Sequence, residues 1–228
     1  GWIGYLSYPD AAADGRAPRI PEAAGGWTDS VLRLDRDGCW WHESLSAAPI
    51  AGWVAEALSS PVSPELYEVN WHEPDFARHQ AGGVLDCLDA IAAGEVYQAC
   101  VCTQFTGVLR GSSCEFFADA VTRTTPARAA YLAGDWGGAV ASLSPELFLR
   151  RTGTDVTSSP IKGGTLPLHR PPDELLASVK DVAEKNIMIV DLVRNDLGRV
   201  AETGTVTVAE LLSVRAAPGV WHLVSTVA

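Results

Sequence analysis

The chain is poor in positive charge. Lysine and arginine number 17 against 28 aspartates and glutamates, a formal net charge of -11, so the basic footprint used to engage nucleic acid or an anionic membrane is missing. That balance does not exclude a small anionic substrate, which a few local cations or a metal can hold. Apolar runs of about eighteen residues are absent, and the first residues lack the basic-then-apolar order of a signal peptide, so the expected setting is the cytoplasm with no membrane span. Zinc-type cysteine spacing is absent too. The five cysteines, Cys39, Cys87, Cys100, Cys102 and Cys114, read as free thiols of a reducing compartment. Cys100 and Cys102 would share one face of a strand, which suits packing better than redox work.

What is present suits a globular enzyme. With 47% hydrophobic and 20% charged residues in 228, the chain can bury a sizeable core in one or two domains. The first 65 residues are punctuated by Pro9, Pro18, Pro21, Pro49, Pro61 and Pro64 and read as short strands, among them Ser30 to Leu34 and Cys39 to Trp41. From Phe76, Val84, Leu88 and Ile91 mark an amphipathic helix stopped at Gly94. Val96 to Val108 reads as a strand, and Cys114 to Arg123 as a helix capped by Ser112 or Ser113. Short strands are expected next at Ala129 to Leu132, Gly138 to Ser142, Leu147 to Arg151 and Val156 to Ser158.

A turn at Pro160 to Thr165 then leads to the longest helix, from Leu175, with Leu176, Val179, Ala183, Ile187 and Val190 on one face. Thr205 to Val208 is expected as a strand, Ala209 to Leu212 as a short helix and Val220 to Val227 as a last strand. This order predicts an α+β fold with antiparallel sheets.

Four residues stand out chemically. Lys162 follows Pro160-Ile161 and precedes Gly163-Gly164-Thr165, so no neighbouring carboxylate pairs with it. It is either a lysine on a solvated turn or a poorly hydrated amine fit to act as nucleophile or base. Glu146, before Leu147-Phe148-Leu149, is either at a solvated strand edge or held in a dry pocket as a general acid. Glu184 is either a helix-surface partner of Lys180 or a carboxylate free for other work. His222, in an apolar strand, is either a satisfied core histidine or a proton carrier. Asp191, Arg194, Asn195 and Asp196 read as a structural cluster at a helix end.

The segment Pro160-Ile161-Lys162-Gly163-Gly164-Thr165, then Lys180-Asp181-Val182-Ala183-Glu184 and Asp191-Leu192-Val193-Arg194-Asn195-Asp196, resembles the chorismate-utilising enzymes, the family of aminodeoxychorismate, anthranilate, isochorismate and salicylate synthases. Gly94 to Gln98, Ser142 to Leu149, Gly204 to Val208 and His222 to Ser225 carry the likeness further, and it spans Leu66 to the C-terminus, with an echo in Gly1 to Tyr8. The resemblance implies two large, mostly antiparallel sheets packed face to face with helices outside, and a chorismate-binding domain over residues 66–228 after an N-terminal β-rich portion over 1–65.

The resemblance also implies roles. A lysine at position 162 marks the aminodeoxychorismate branch, where it attacks chorismate C2, and disfavours the anthranilate alternative, which usually has alanine there. Glu146 would be the acid that helps the C4 hydroxyl leave while ammonia or an enzyme amine adds at C2, giving 4-amino-4-deoxychorismate for para-aminobenzoate and folate synthesis. Gly163, Gly164 and Thr165 would bind substrate, His222 would lie near the ring, and Glu184 would hold Mg2+, which keeps several waters and takes one or two carboxylates. Ammonia would come from a glutamine amidotransferase partner.

This chain departs from the family pattern at several points. Gly163-Gly164-Thr165 stands for Gly-Thr, one residue is extra near Lys185-Asn186, and Cys100 replaces an expected asparagine. An extra helical residue rotates every later position of its helix by about 100° unless a π-bulge absorbs it. The chain also stops before the family's later glycine-rich loop and second metal glutamate. It is therefore expected to be a fragment, inactive by itself, with a non-catalytic module that binds the amidotransferase as the alternative.

Overall fold

The computed structural model describes residues 1–7, 20–60, 63–72, 76–97, 99, 101, 105–177 and 179–228, with the backbone alone at 76–81, 162–166, 175–177 and 179–186. Contacts divide the chain into two units, Gly1–Ala47 with Ala118–Ala228, and Ala48–Phe117. Cys100, Cys102 and Gln98 lie outside the described residues.

The first unit opens with two antiparallel hairpins, β1 (Trp2–Leu6) with β2 (Ala23–Trp27), and β3 (Ser30–Leu34) with β4 (Trp40–Ser44). Asp35 organises the second turn. Its Oδ1 accepts the backbone N–H groups of Asp37 at 3.0 Å and Cys39 at 2.8 Å, and its Oδ2 accepts the Trp41 Nε1–H at 2.6 Å. Gly38, at φ +80°, supplies the left-handed step that a side chain would resist. The Trp41 hydrogen bond, followed by that from Cys39, holds the Asp35 carboxyl below its ordinary 3.8.

The second unit contains α1 (Gly52–Ser59), β5 (Tyr67–Trp71), α2 (Phe76–Ala92), β6 (Gly107–Gly111) and the start of α3 (Ser113–Thr124). Helix α2 ends as the sequence predicts. Gly94 takes φ +75°, its N–H reaches the Ile91 carbonyl, and the Glu95 N–H reaches back to Ala90, which satisfies two carbonyls of the last turn. The apolar stripe of Val84, Leu88 and Ile91 is nonetheless more than a third exposed along its length. Ser112 caps α3, its Oγ accepting the Glu115 N–H at 3.3 Å.

The strand expected over 96–108 is shorter and later. Residues 96, 97, 99, 101, 105 and 106 are in no strand, and pairing occupies Gly107–Gly111, opposite Trp71–Tyr67. β-favouring composition marks a candidate, but a partner strand decides the bounds, and β5 offers only five residues.

The rest of the first unit runs β7 (Ala130–Ala133), β8 (Ala139–Ser142), β9 (Leu147–Thr152), β10 (Asp155–Ser159), β11 (Ile161–Pro167), α4 (Pro172–Ala177), α5 (Val179–Gly198), β12 (Val208–Ala217) and β13 (Val220–Val227). β7 and β8 form a hairpin, and β9 to β13 form a five-stranded antiparallel sheet in which β13 pairs with β10, β11 and β12.

Three expectations are corrected here. The segment at Lys162 is strand, not turn, because β13 supplies a partner for it. The helix expected from Leu175 is seen as Pro172–Ala177 (α4) and Val179–Gly198 (α5), with residue 178 between them outside the described residues. Ala209 to Leu212 is not helical, and the strand begins at Val208 rather than Thr205. Its helix-favouring Ala-Glu-Leu-Leu is overruled by pairing with β13, at the cost of a bulge in which Leu212 takes φ +56°.

Alternation along β13 sets the two faces of this sheet. Leu223, Ser225 and Val227 are fully buried, and Val227 packs with Val190 and Leu197 of α5, beside Val156, Val193 and Val206. The buried face of α5 is therefore Val190, Val193 and Leu197, at i, i+3, i+7. Ile187 falls near the edge of that stripe and is 43% exposed. His222, Val224 and Thr226 project from the opposite face, where the candidate site lies.

Candidate active site

That opposite face carries a cavity of about 450 Å³, lined by Thr124, Thr125, Pro126, Ala127, Arg128, Leu143, Pro145, Ser159, Ile161, Arg215, Ala216, Ala217, Pro218, His222 and Val224. Its size is within the range of small-molecule sites. The floor is the sheet: Ile161 stands opposite Val224, and His222 sits between Thr165 on β11 and Arg215 on β12. Directly paired residues in an antiparallel ladder share a face, so the register gathers these positions.

Between Ile161 and Thr165, β11 advances four residues while β13 advances two, from Val224 to His222. The surplus is a bulge confined to Lys162, Gly163 and Gly164, the segment the sequence singles out. Bulges of this kind re-aim a strand beside functional sites. The glycine that exceeds the family pattern is thus one of the unpaired residues, and the ladder resumes at Thr165. The side chains of Lys162 and Thr165 lie outside the described residues, as does that of Glu184 on α5.

Glu146 is half-buried and tied to the same segment. Its Oε1 accepts the Ile161 N–H at 2.8 Å, while its own N–H donates to Ser144 Oγ at 3.2 Å. A carboxylate so fixed has one oxygen engaged by the backbone immediately before Lys162 and the other available to carry a proton.

His222 lines the cavity. Its Nδ1 is buried and has no hydrogen-bond partner among the described residues, and an orphaned ring nitrogen in a cavity wall is a place where a ligand or water belongs. Asp191 and Arg194 behave as the structural cluster expected, with Arg194 Nη1 donating to Asp191 Oδ1 at 3.1 Å on an exposed surface.

Helix α5 is α-helical from Val179 to Gly198, with no π-turn. The extra residue near Lys185 is therefore not absorbed by a bulge, and the 100° offset between Glu184 and the Asp191 to Asp196 cluster stands. No group of three or more histidine, cysteine, aspartate or glutamate side chains is placed to hold a metal among the described residues. The described side chains do not assemble a magnesium site.

Arg128 and Arg215 escaped the sequence reading, although a signal was there. Each stands among small or apolar neighbours, Pro126-Ala127-Arg128-Ala129-Ala130 and Val214-Arg215-Ala216-Ala217-Pro218, the same lack of an adjacent carboxylate that draws attention to Lys162.

Residues 2–228 match the model of the family described as chorismate binding enzyme. The chain belongs to the chorismate-binding enzymes. Among its relatives is aminodeoxychorismate synthase component 1 of Klebsiella aerogenes, 38% identical over 219 residues, which covers 91% of this chain and 48% of the relative. Anthranilate synthase component 1 of Methanothermobacter thermautotrophicus is 34% identical over 247 residues, 100% of this chain and 51% of the relative. The chain therefore spans about half the length of the curated relatives it matches. The crystal structure of anthranilate synthase component I from Streptococcus pneumoniae superposes with a TM-score of 0.74 at 22% identity, over 100% of this chain and 56% of that one. The fold is thus the expected α+β arrangement of antiparallel sheets and helices. No helix of the described residues is long and apolar enough to cross a membrane.

Proposed function

We propose that this chain contributes the central strands of an aminodeoxychorismate synthase component I, which exchanges the C4 hydroxyl of chorismate for an amino group. The observation that carries the reading is the hydrogen bond from the Ile161 N–H to the Glu146 carboxylate. It ties the acid to the backbone that precedes Lys162, and Ile161 shares a cavity wall with His222.

In this reading the Lys162 amine adds to ring C2 as the double bond shifts and the C4 hydroxyl departs with a proton from Glu146. Atom balance then corrects the expected regiochemistry. Nitrogen left at C2 would give a 2-amino product. A 4-amino product needs ammonia to enter at C4 as the lysine leaves C2, so the net change is chorismate plus ammonia to 4-amino-4-deoxychorismate plus water. His222 would orient the ring through Nδ1, with Gly163, Gly164 and Thr165 along the substrate. A glutamine amidotransferase is the ammonia source this chemistry calls for, and para-aminobenzoate and folate synthesis its use. Magnesium enters the reading through Glu184 alone, and no step is routed through it.

The test is to incubate the full-length protein with chorismate, an ammonium salt and Mg2+, and to identify the product chromatographically. 4-Amino-4-deoxychorismate is expected, and Lys162→Ala should abolish it. Anthranilate as the product would replace this reading with the anthranilate one, and full activity in Lys162→Ala would remove the nucleophile.

A further inference from the structure

Glu146 stands in the run Leu143-Ser144-Pro145-Glu146-Leu147, and the proline restricts that backbone before any tertiary contact forms. Its ring fixes its own φ and pushes the preceding residue, Ser144, toward extended backbone. Pro145 has no N–H, so the first backbone donor after Ser144 is that of Glu146. A serine hydroxyl so placed bonds the backbone two residues on. Here it does so in both senses: Ser144 Oγ accepts the Glu146 N–H at 3.2 Å and donates to the Glu146 carbonyl at 3.3 Å.

The Ile161 N–H holds Glu146 by Oε1 at 2.8 Å, at the far end of a flexible side chain. A carboxyl held only at its tip still swings with its backbone. The Ser144 hydroxyl supplies the other end by engaging both polar backbone groups of the same residue. The peptide group that carries the Glu146 N–H is also held at its carbonyl, where Pro145 accepts Arg128 Nη1 at 3.1 Å. Arg128 is exposed whereas Ser144 is half-buried, and a hydrogen bond withdrawn from water is the firmer of two such holds. Leu143 and Pro145, on either side of Ser144, line the cavity, so a shift of this turn moves the acid and the cavity wall together.

We infer that Ser144 is a positioning residue for Glu146: its hydroxyl fixes the backbone from which the carboxyl reaches the Ile161 N–H beside Lys162. Its effect on the reaction passes through Glu146 alone. A reacting group misplaced by about 1 Å can cost about 10²-fold in rate. This role rests on the proposed function for its reaction and goes beyond it in naming the residue that aims the acid.

In the full-length protein, Ser144→Ala should lower kcat with chorismate about tenfold to a hundredfold. KM should stay within about twofold, because the lost contact is not one made to bound substrate. Added to Glu146→Gln, the same substitution should cost less than about twofold more, since no acid remains to be misplaced. Ser144→Thr keeps the hydroxyl and should hold kcat within about threefold of the parent. An equal loss from Ser144→Ala in both backgrounds would make Ser144 merely structural and overturn the inference.

Amide exchange in the full-length protein, read by mass spectrometry with single-residue fragmentation, follows the geometry without turnover. In Ser144→Ala, exchange at Ile161 should rise roughly threefold to tenfold, as loss of one hydrogen bond predicts. Exchange at the buried Leu223 and Val227 should stay as in the parent, and Ser144→Thr should match the parent at all three positions. Unchanged exchange at Ile161 in a folded alanine variant overturns the inference, as does lost protection there in a folded threonine variant. Where the alanine variant does not fold, the threonine variant decides alone. Lost protection at Ile161 in the alanine variant of a protein that aminates no chorismate would keep the positioning role and bring down the functional reading.

Discussion

Glu146 shows how a single backbone contact can turn an ambiguous acid into a placed one. The Ile161 N–H occupies Oε1, and a glutamine keeps a carbonyl oxygen for that hydrogen bond while losing the transferable proton. Glu146→Gln should therefore leave the melting temperature nearly unchanged while kcat falls by about 10²- to 10⁴-fold, the usual worth of a general acid. Unchanged kcat in a folded variant would restrict Glu146 to a structural role.

Asp35 illustrates the opposite case, an exposed acid whose work is local. Hydrogen bonds from Trp41, Cys39 and Asp37 favour its charged form and lower its folded value below 3.8. Its contribution is therefore present above 3.8 and is lost as the pH falls through the lower folded value. Amide exchange in the β3–β4 turn should be slower in the parent than in Asp35→Asn at neutral pH. That difference should fade in acid well below 3.8, and a difference independent of pH would refute the assignment.

Among the elements, the bulge of β12 is fixed by a buried hydroxyl. Ser225 is fully buried and its Oγ accepts the Leu212 N–H at 3.0 Å, where the backbone is left-handed. Removing that acceptor leaves a donor without a partner beside a residue that gains nothing from φ +56°, so Ser225→Ala should cost about 1–3 kcal/mol in a denaturant melt. A neutral result would mean that water or another acceptor replaces the hydroxyl.

This bulge also shows why part of the fold was hidden in the sequence. Local signals were sufficient where the cause was local: Gly94 after an apolar helix, Ser112 three residues before Glu115, and the uninterrupted Val220 to Val227 run. They failed where a distant partner decided the outcome. Ala209-Glu210-Leu211-Leu212 reads as helix until β13 is beside it, and Pro160 to Thr165 reads as a turn until the same strand pairs with it. The candidate site obeys the same division. The neighbours of Glu146, Lys162 and His222 left each of them ambiguous and the family resemblance singled them out, whereas Arg128 and Arg215 stand in the cavity wall only because folding brings separate segments together.

At the scale of the molecule, apolar surface outweighs apolar core. Five hydrophobic residues, Val190, Leu197, Leu223, Val224 and Val227, are buried among the described ones, while six of the eight tryptophans, Trp2, Trp27, Trp40, Trp41, Trp53 and Trp71, are more than half exposed. Exposed aromatic side chains are common singly, but contiguous apolar area beyond a few hundred Å² marks a surface that another body covers. Trp2 and Trp27 are paired in register across one hairpin and so share a face, whereas Trp40 and Trp41, adjacent on β4, expose one ring on each face of theirs.

The 228-residue chain in dilute solution should consequently show red-shifted tryptophan emission, bind an apolar dye such as anilinonaphthalene sulfonate, and lose both signals as it self-associates with rising concentration. Blue-shifted emission with no dye binding in a species shown to be monomeric by sedimentation would mean that these faces close over one another. In that case the sparse core would no longer describe the chain in solution.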